Sequence, residues 1–141
     1  MSANVLIVDD SGVMRGVIRR ALELAALDVG SVLEASNGIE ALAALASGDV
    51  QLVLLDINMP VMNGVQFLER LRDDPRLANL PVVVASTEGS TRRIQQLLAT
   101  GAKAFIRKPF QPEQLRAVLL PLLGGAQVSR TSAAADGPDA F

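Results

Sequence analysis

A doubly wound α/β domain, with a five-stranded parallel sheet flanked by five helices, is predicted by three observations. Short β-branched and leucine runs alternate with longer stretches of helical spacing. Three of those runs, Val5 to Val8, Leu52 to Leu55 and Val82 to Ala85, are continuously apolar, as strands covered by helices on both faces must be. Glycine, proline and capping residues stand at the joins.

Val5 to Val8 opens the series as the first strand. After it, Met14, Val17, Ile18, Ala21, Leu22 and Ala25 recur at three- and four-residue steps, an amphipathic helix with Ser11 placed to cap its start. Ser31 to Glu34 reads as the second strand, and Ile39, Ala41 and Leu45 mark a shorter core-facing helix ending near Gly48. Leu52 to Leu55 follows as a strand, then a helix through Val65, Leu68 and Leu71 that Pro75 closes. Val82 to Ala85 precedes a helix from about Ser90 to Thr100, where Ile94, Leu97 and Leu98 run to Gly101, suited to a left-handed helix end. Ala104 to Ile106 is the last strand, and Pro112 begins the last helix through Leu115, Val118, Leu119 and Leu122. From Gly124 to Phe141 no apolar stripe persists, so residues 1–123 are expected to form the domain and 124–141 a flexible tail.

Composition removes several function classes. At 141 residues, half of them hydrophobic, the chain has material for one core and not two of ordinary size. Thirteen Lys and Arg against fifteen Asp and Glu leave a net charge of −2, unlike a protein that lives on nucleic acid. With no cysteine there is no disulfide or thiol nucleophile, and with no histidine no Ser/His triad, imidazole metal ligand or histidine phosphocarrier. No apolar run approaches the ~18 residues of a membrane span, and no basic leader with an apolar stretch precedes Asp9, so a soluble cytoplasmic protein without membrane insertion is expected.

Ligands of an open α/β sheet gather at the carboxyl ends of its strands. Those ends carry Asp9 and Asp10 after the first strand, Asp56 after the third, Ser86 after the fourth and Lys108 after the fifth. Taken singly, each has a plain reading as a turn, a cap or a solvated charge. Together they make a site. Three carboxylates in close quarters repel one another unless a cation neutralises them, and an all-oxygen donor set favours Mg²⁺, or Mn²⁺, over zinc. A metal beside Asp56 would let this anionic nucleophile approach a phosphoryl group, with Lys108 as counter-charge and Ser86 as hydroxyl donor, the product being an aspartyl phosphate.

These residues resemble the receiver domains of two-component response regulators, in particular the CheY-like single-domain type with its flavodoxin-like sheet. The resemblance covers about residues 4 to 123. It is carried by Val8-Asp9-Asp10-Ser11 with Met14-Arg15, by Leu55-Asp56-Ile57-Asn58-Met59-Pro60 with Met62-Asn63-Gly64, by Ser86-Thr87-Glu88 and by Lys108-Pro109-Phe110. It implies that Asp56 takes phosphate from a sensor histidine kinase or a histidine phosphotransfer protein. It implies that Asp10, Asp56 and the backbone carbonyl of Asn58 hold Mg²⁺ with Asp9 acting through water, and that the Lys108–Pro109 bond is cis. Ser86 and Phe105 would form the coupled switch, with Phe105 lacking the hydroxyl of the tyrosine common there. Asn58 and Glu88 would modulate dephosphorylation, giving a transient signal. The partner face would comprise the fourth helix, last strand and last helix, with Arg92, Arg93, Ile94, Gln95 and Phe105 on it; the downstream protein is unknown, and a chemotaxis or motility role is one expectation. Such a chain is a self-phosphorylating and self-dephosphorylating acceptor, not a conventional enzyme.

Three other readings compete. A phosphohydrolase forming an aspartyl phosphate would carry a second Asp two residues after the nucleophile, where this chain has Asn58, which transfers no proton. A flavodoxin-like electron carrier would offer hydroxyls to a flavin phosphate, where Asp9 and Asp10 repel it. The chain could also be the receiver piece of a longer multidomain regulator.

Overall fold

The computed structural model describes residues 2–57, 59, 61–87 and 90–128, with side chains as far as Leu123. The elements alternate strictly: β1 (Ala3–Val8), α1 (Gly12–Leu24), β2 (Val29–Ala35), α2 (Gly38–Ser47), β3 (Leu52–Leu55), α3 (Gly64–Arg72), β4 (Val82–Ser86), α4 (Thr91–Thr100), β5 (Ala104–Arg107) and α5 (Pro112–Val128). All four strand pairings are parallel, in the order β2-β1-β3-β4-β5. The expected fold class is therefore the observed one.

The period of two along each strand divides the core between the two faces. Leu6, Val8, Val53, Leu55, Val82 and Val84 pack with α2, α3 and α4 through Ala41, Leu45, Phe67, Leu68, Leu71 and Leu97. Val5, Ile7, Leu52, Leu54, Val83, Ala85 and Ile106 pack with α1 and α5 through Ile18, Ala21, Leu22, Leu115, Leu119 and Leu123. Because every residue of β1 from Val5 on and all of β3 and β4 is buried, these strands have no polar face. Beyond Asn4 at the start of β1, their polar side chains come at their carboxyl ends.

Local chemistry sets the helix starts. Ser11, Asn37, Asn63 and Ser90 each accept a hydrogen bond from a backbone N–H three residues on, and Asn63 and Gln66 form a reciprocal capping box. Gly101 ends α4 at φ 132°, as expected of it.

Two helix readings need correction. Val17, expected in the buried stripe of α1, is 54% exposed, because it lies roughly 100° around the helix from Ile18, which anchors the stripe. Ile39, expected to face the core from α2, is 49% exposed; Gly38, Ala41 and Leu45 make that contact, and Ile39 falls on the far side. Strand β2 begins two residues earlier than expected and β4 includes Ser86. Helix α5 continues through Pro121 to Val128, so the backbone of 124–128 is helical where composition pointed to a tail. The rest of that tail lies outside the described residues.

Candidate functional site

Sheet order reverses between β1 and β3, since β2 lies on one side of β1 and β3 to β5 on the other, which opens a crevice above their carboxyl ends. Val8 is paired with Leu55, and the Asp56 N–H donates to the Val8 carbonyl at 2.9 Å. That register brings the residues just past each strand, Asp9, Asp10 and Asp56, to one place. Carboxylate oxygens of all three lie within 4.8 Å of one another. Asp9 is buried, Asp56 half-buried and Asp10 exposed, so the cluster is open to solvent on the side of Asp10.

Lys108 completes the group from β5. Its N–H donates to the Ser86 carbonyl at 2.9 Å, and the Lys108–Pro109 peptide is cis, as the resemblance implies. Its Nζ donates to Asp9 Oδ2 at 2.6 Å, both side chains being buried. The expected counter-charge to a phosphoryl group thus stands against Asp9. Asp9 Oδ1 accepts from the Ser11 N–H at 2.9 Å, and the Asp9 N–H donates to the Ala35 carbonyl. Ser86 is fully buried at the end of β4, one strand from Asp56. Phe105 pairs with Val84 in register and is half-buried against the α2–α4 core.

The loop leading from Asp56 to α3 is tightly held. Ile57 is buried, Met62 lies under the start of α2 beside Gly38, and the Gly64 N–H donates to the Ile57 carbonyl at 3.3 Å. Val61 sits at φ 72°, a conformation that β-branched residues rarely adopt, close in sequence to Asp56. Asn58 and Glu88, expected to supply a metal ligand and to modulate dephosphorylation, lie outside the described residues.

One part of the site escapes a reading of strand ends alone. Arg15, on the first turns of α1, donates through Nη1 to the Asp9 carbonyl at 2.6 Å and through Nε to Glu34 Oε1 at 2.8 Å. Arg19 grips the other oxygen, Glu34 Oε2, through Nη2 at 2.6 Å. Hydrogen bonds from Arg19 and then Arg15 hold the Glu34 carboxyl below its ordinary value of 4.5. A depressed folded-state value stabilises the fold above 4.5, and this contribution is lost as pH falls through the folded value. Glu34→Gln should therefore cost about 0.5–1 kcal/mol at neutral pH, a difference that urea titrations repeated at descending pH should find shrinking below 4.5. The available signals were the i, i+4 arginine pair and a charged residue inside a strand.

The donor set is all oxygen, and three acidic side chains converge with one buried cation beside them. Such a group fits a hard divalent ion and an acyl-phosphate chemistry far better than a soft metal or a flavin phosphate.

Comparison with known proteins agrees in extent and fold. The family described as response regulator receiver domain matches residues 5–120. The chain is 37% identical over 121 residues to chemotaxis protein CheY1 of Helicobacter pylori, covering 85% of this chain and 96% of that one. Among solved structures, chemotaxis protein CheY4 of Vibrio cholerae superposes with a TM-score of 0.77 at 34% identity, covering 86% of this chain and 99% of that one. The receiver domain of a Pseudomonas aeruginosa sensor histidine kinase, with a magnesium ion in its active site cleft, shares the fold at a TM-score of 0.77 and 21% identity, over 88% of this chain and 99% of that one. Among the described residues no helix is long and apolar enough to cross a membrane. With most of the chain matched, and the acidic crevice where the sheet order reverses, this protein belongs to the response regulator receiver domain family and is a CheY-like receiver of two-component signalling.

Proposed function

We propose that this receiver accepts a phosphoryl group on Asp56 from the phosphohistidine of a sensor histidine kinase or phosphotransfer protein, and relays the change to a downstream protein. The observation that carries this reading is the convergence of Asp9, Asp10 and Asp56 within 4.8 Å, beside the buried Lys108–Asp9 pair. An Asp56 carboxylate oxygen forms the new bond to phosphorus; the P–N bond to the donor imidazole breaks, and its electron pair stays on the ring nitrogen. Asp10, Asp56 and the backbone carbonyl of Asn58 would hold Mg²⁺ or Mn²⁺, with Asp9 reaching it through water. That ion would supply charge neutralisation to a step in which two anions meet. The half-buried position of Asp56 leaves it accessible to a donor, while its backbone N–H bond to Val8 fixes its place.

The new phosphoryl oxygens attract the Ser86 hydroxyl, at the end of β4, and the Lys108 ammonium, just past β5. Ser86 ends β4 just before α4, so its displacement moves the start of that helix. Phe105, next to β4 in register, responds by packing alone because it has no hydroxyl. The face built from α4, β5 and α5 presents exposed Arg92 and Gln95 with half-buried Arg93, Ile94 and Phe105, suited to an acidic partner. Asn58 and Glu88 set how briefly the signal lasts. The protein is an acceptor that gains and loses its own phosphate, works in the cytoplasm, and by its similarity to chemotaxis proteins serves chemotaxis or motility. Residues 1–123 are its receiver unit.

Incubation with Mg²⁺ and acetyl phosphate or phosphoramidate, followed by intact mass measurement, tests this. The parent is expected to gain a labile phosphoryl mass and Asp56→Ala none. A parent that gains nothing overturns the reading, as does a variant that gains the same mass.

A further inference from the structure

Asp10 offers the most solvent-open carboxylate of the cluster, so its aim depends on how its backbone is held. The answer lies one peptide earlier. The carbonyl of Asp9 belongs to the peptide that joins Asp9 to Asp10, and the direction of that carbonyl sets the plane from which the Asp10 side chain projects. Arg15 donates to this oxygen at 2.6 Å.

Arg15 is itself held. Its Nε donates to Glu34 on β2, and Glu34 is gripped from its second oxygen by Arg19, which also donates to the Val32 carbonyl at 3.2 Å. The guanidinium plane of Arg15 is thereby locked between a strand and the peptide at the head of the acidic cluster. Its side chain is only 20% exposed. An arginine is an unexpected neighbour for a cation site, since its charge disfavours a second cation.

We infer that Arg15 is a positioning residue for the divalent-cation site, orienting Asp10 through the Asp9–Asp10 peptide, with Glu34 and Arg19 holding its guanidinium in place. This rests on the reading of the acidic cluster as a divalent-cation site. The two effects of Arg15 have opposite signs. Charge alone predicts that Arg15→Met binds a cation more tightly than the parent, and that Arg15→Lys binds equally well. Positioning predicts that both bind more weakly, because a lysine ammonium lacks the planar fork that engages Glu34 and the Asp9 carbonyl together.

The test is calorimetric titration of the parent, Arg15→Met, Arg15→Lys and Glu34→Gln with Mg²⁺ alone, thermal melting confirming that each is folded. Both Arg15 variants are expected to bind about tenfold more weakly than the parent, the scale typical of lost ligand-orienting partners. Glu34→Gln should show a smaller loss that disappears in an Arg15→Met background. In the metal-free proteins, the backbone amide resonances of Asp9, Asp10 and Ser11 should move in both Arg15 variants while those of Val82 to Val84 stay in place. If Arg15→Met does not fold, Arg15→Lys and Glu34→Gln decide. A parent that binds Mg²⁺ together with Arg15 variants that bind it as tightly or more tightly overturns the positioning role. A parent that binds none removes the cation site itself, and the positioning role with it.

Discussion

Lys108→Met is expected to destabilise the metal-free protein by about 3 kcal/mol, the scale found when one member of a buried ion pair is removed. Lys108 Nζ lies 2.6 Å from Asp9 Oδ2, with side-chain exposures of 8% and 3%, so water cannot replace the lost partner. Methionine keeps most of the aliphatic stem, which confines the loss to charge. Asp9 Oδ1 retains the Ser11 N–H, yet Oδ2 loses its cation while the carboxylate stays clustered with those of Asp10 and Asp56. Urea unfolding in the presence of a chelator measures the effect as a fall in midpoint at unchanged slope. Added Mg²⁺ should return more stability to the variant than to the parent, because a bound ion stabilises only the folded state and takes over neutralisation of the cluster. An unchanged midpoint under chelation would show that the pair contributes nothing.

Gly64→Ala should cost a net ~2 kcal/mol and lower the melting temperature by about 8 °C. A Cβ built on Gly64 would stand 2.8 Å from Ile57 Cγ2 and 3.0 Å from Ile57 Cα. The side-chain atom could swing away by rotation, but the backbone atom moves only with the whole segment, since Ile57 is buried and follows Asp56 directly. Alanine gains less than ~1 kcal/mol of helix propensity at the start of α3, too little to offset overpacking. Relief must come from movement of the Asp56–Ile57 segment. Phosphorylation by acetyl phosphate is therefore expected to slow by more than the stability change explains, which a rate measurement well below the melting temperature checks. A melting temperature within a degree of the parent's would refute the close approach.

Much of the molecule could be read along the chain because the signals are local. Apolar runs with no polar face require cover on both sides, which made Val5 to Val8, Leu52 to Leu55 and Val82 to Ala85 central strands. Ser11 and Ser90 cap helices within three residues, and Gly101 takes its positive φ within one. Boundaries were less legible. Val17 and Ile39 were misread because an apolar residue beside a stripe looks like part of it until the helix is docked. The small-residue composition from Gly124 marked the end of α5, yet its backbone runs to Val128.

By itself, the sequence determined the fold class and the gathering of Asp9, Asp10, Asp56, Ser86 and Lys108 at one edge, since a parallel sheet puts every strand's carboxyl end on the same side. Tertiary structure alone decided which of these groups meet. Lys108 pairs with Asp9 across 99 positions of chain, Arg15 reaches the Asp9 carbonyl while Glu34 holds it from β2, and Gly64 lies against Ile57. The physical reason is range. Periodicity and capping act over a few residues, whereas a hydrogen bond of 2.6 Å depends on strand order, register and rotamer together.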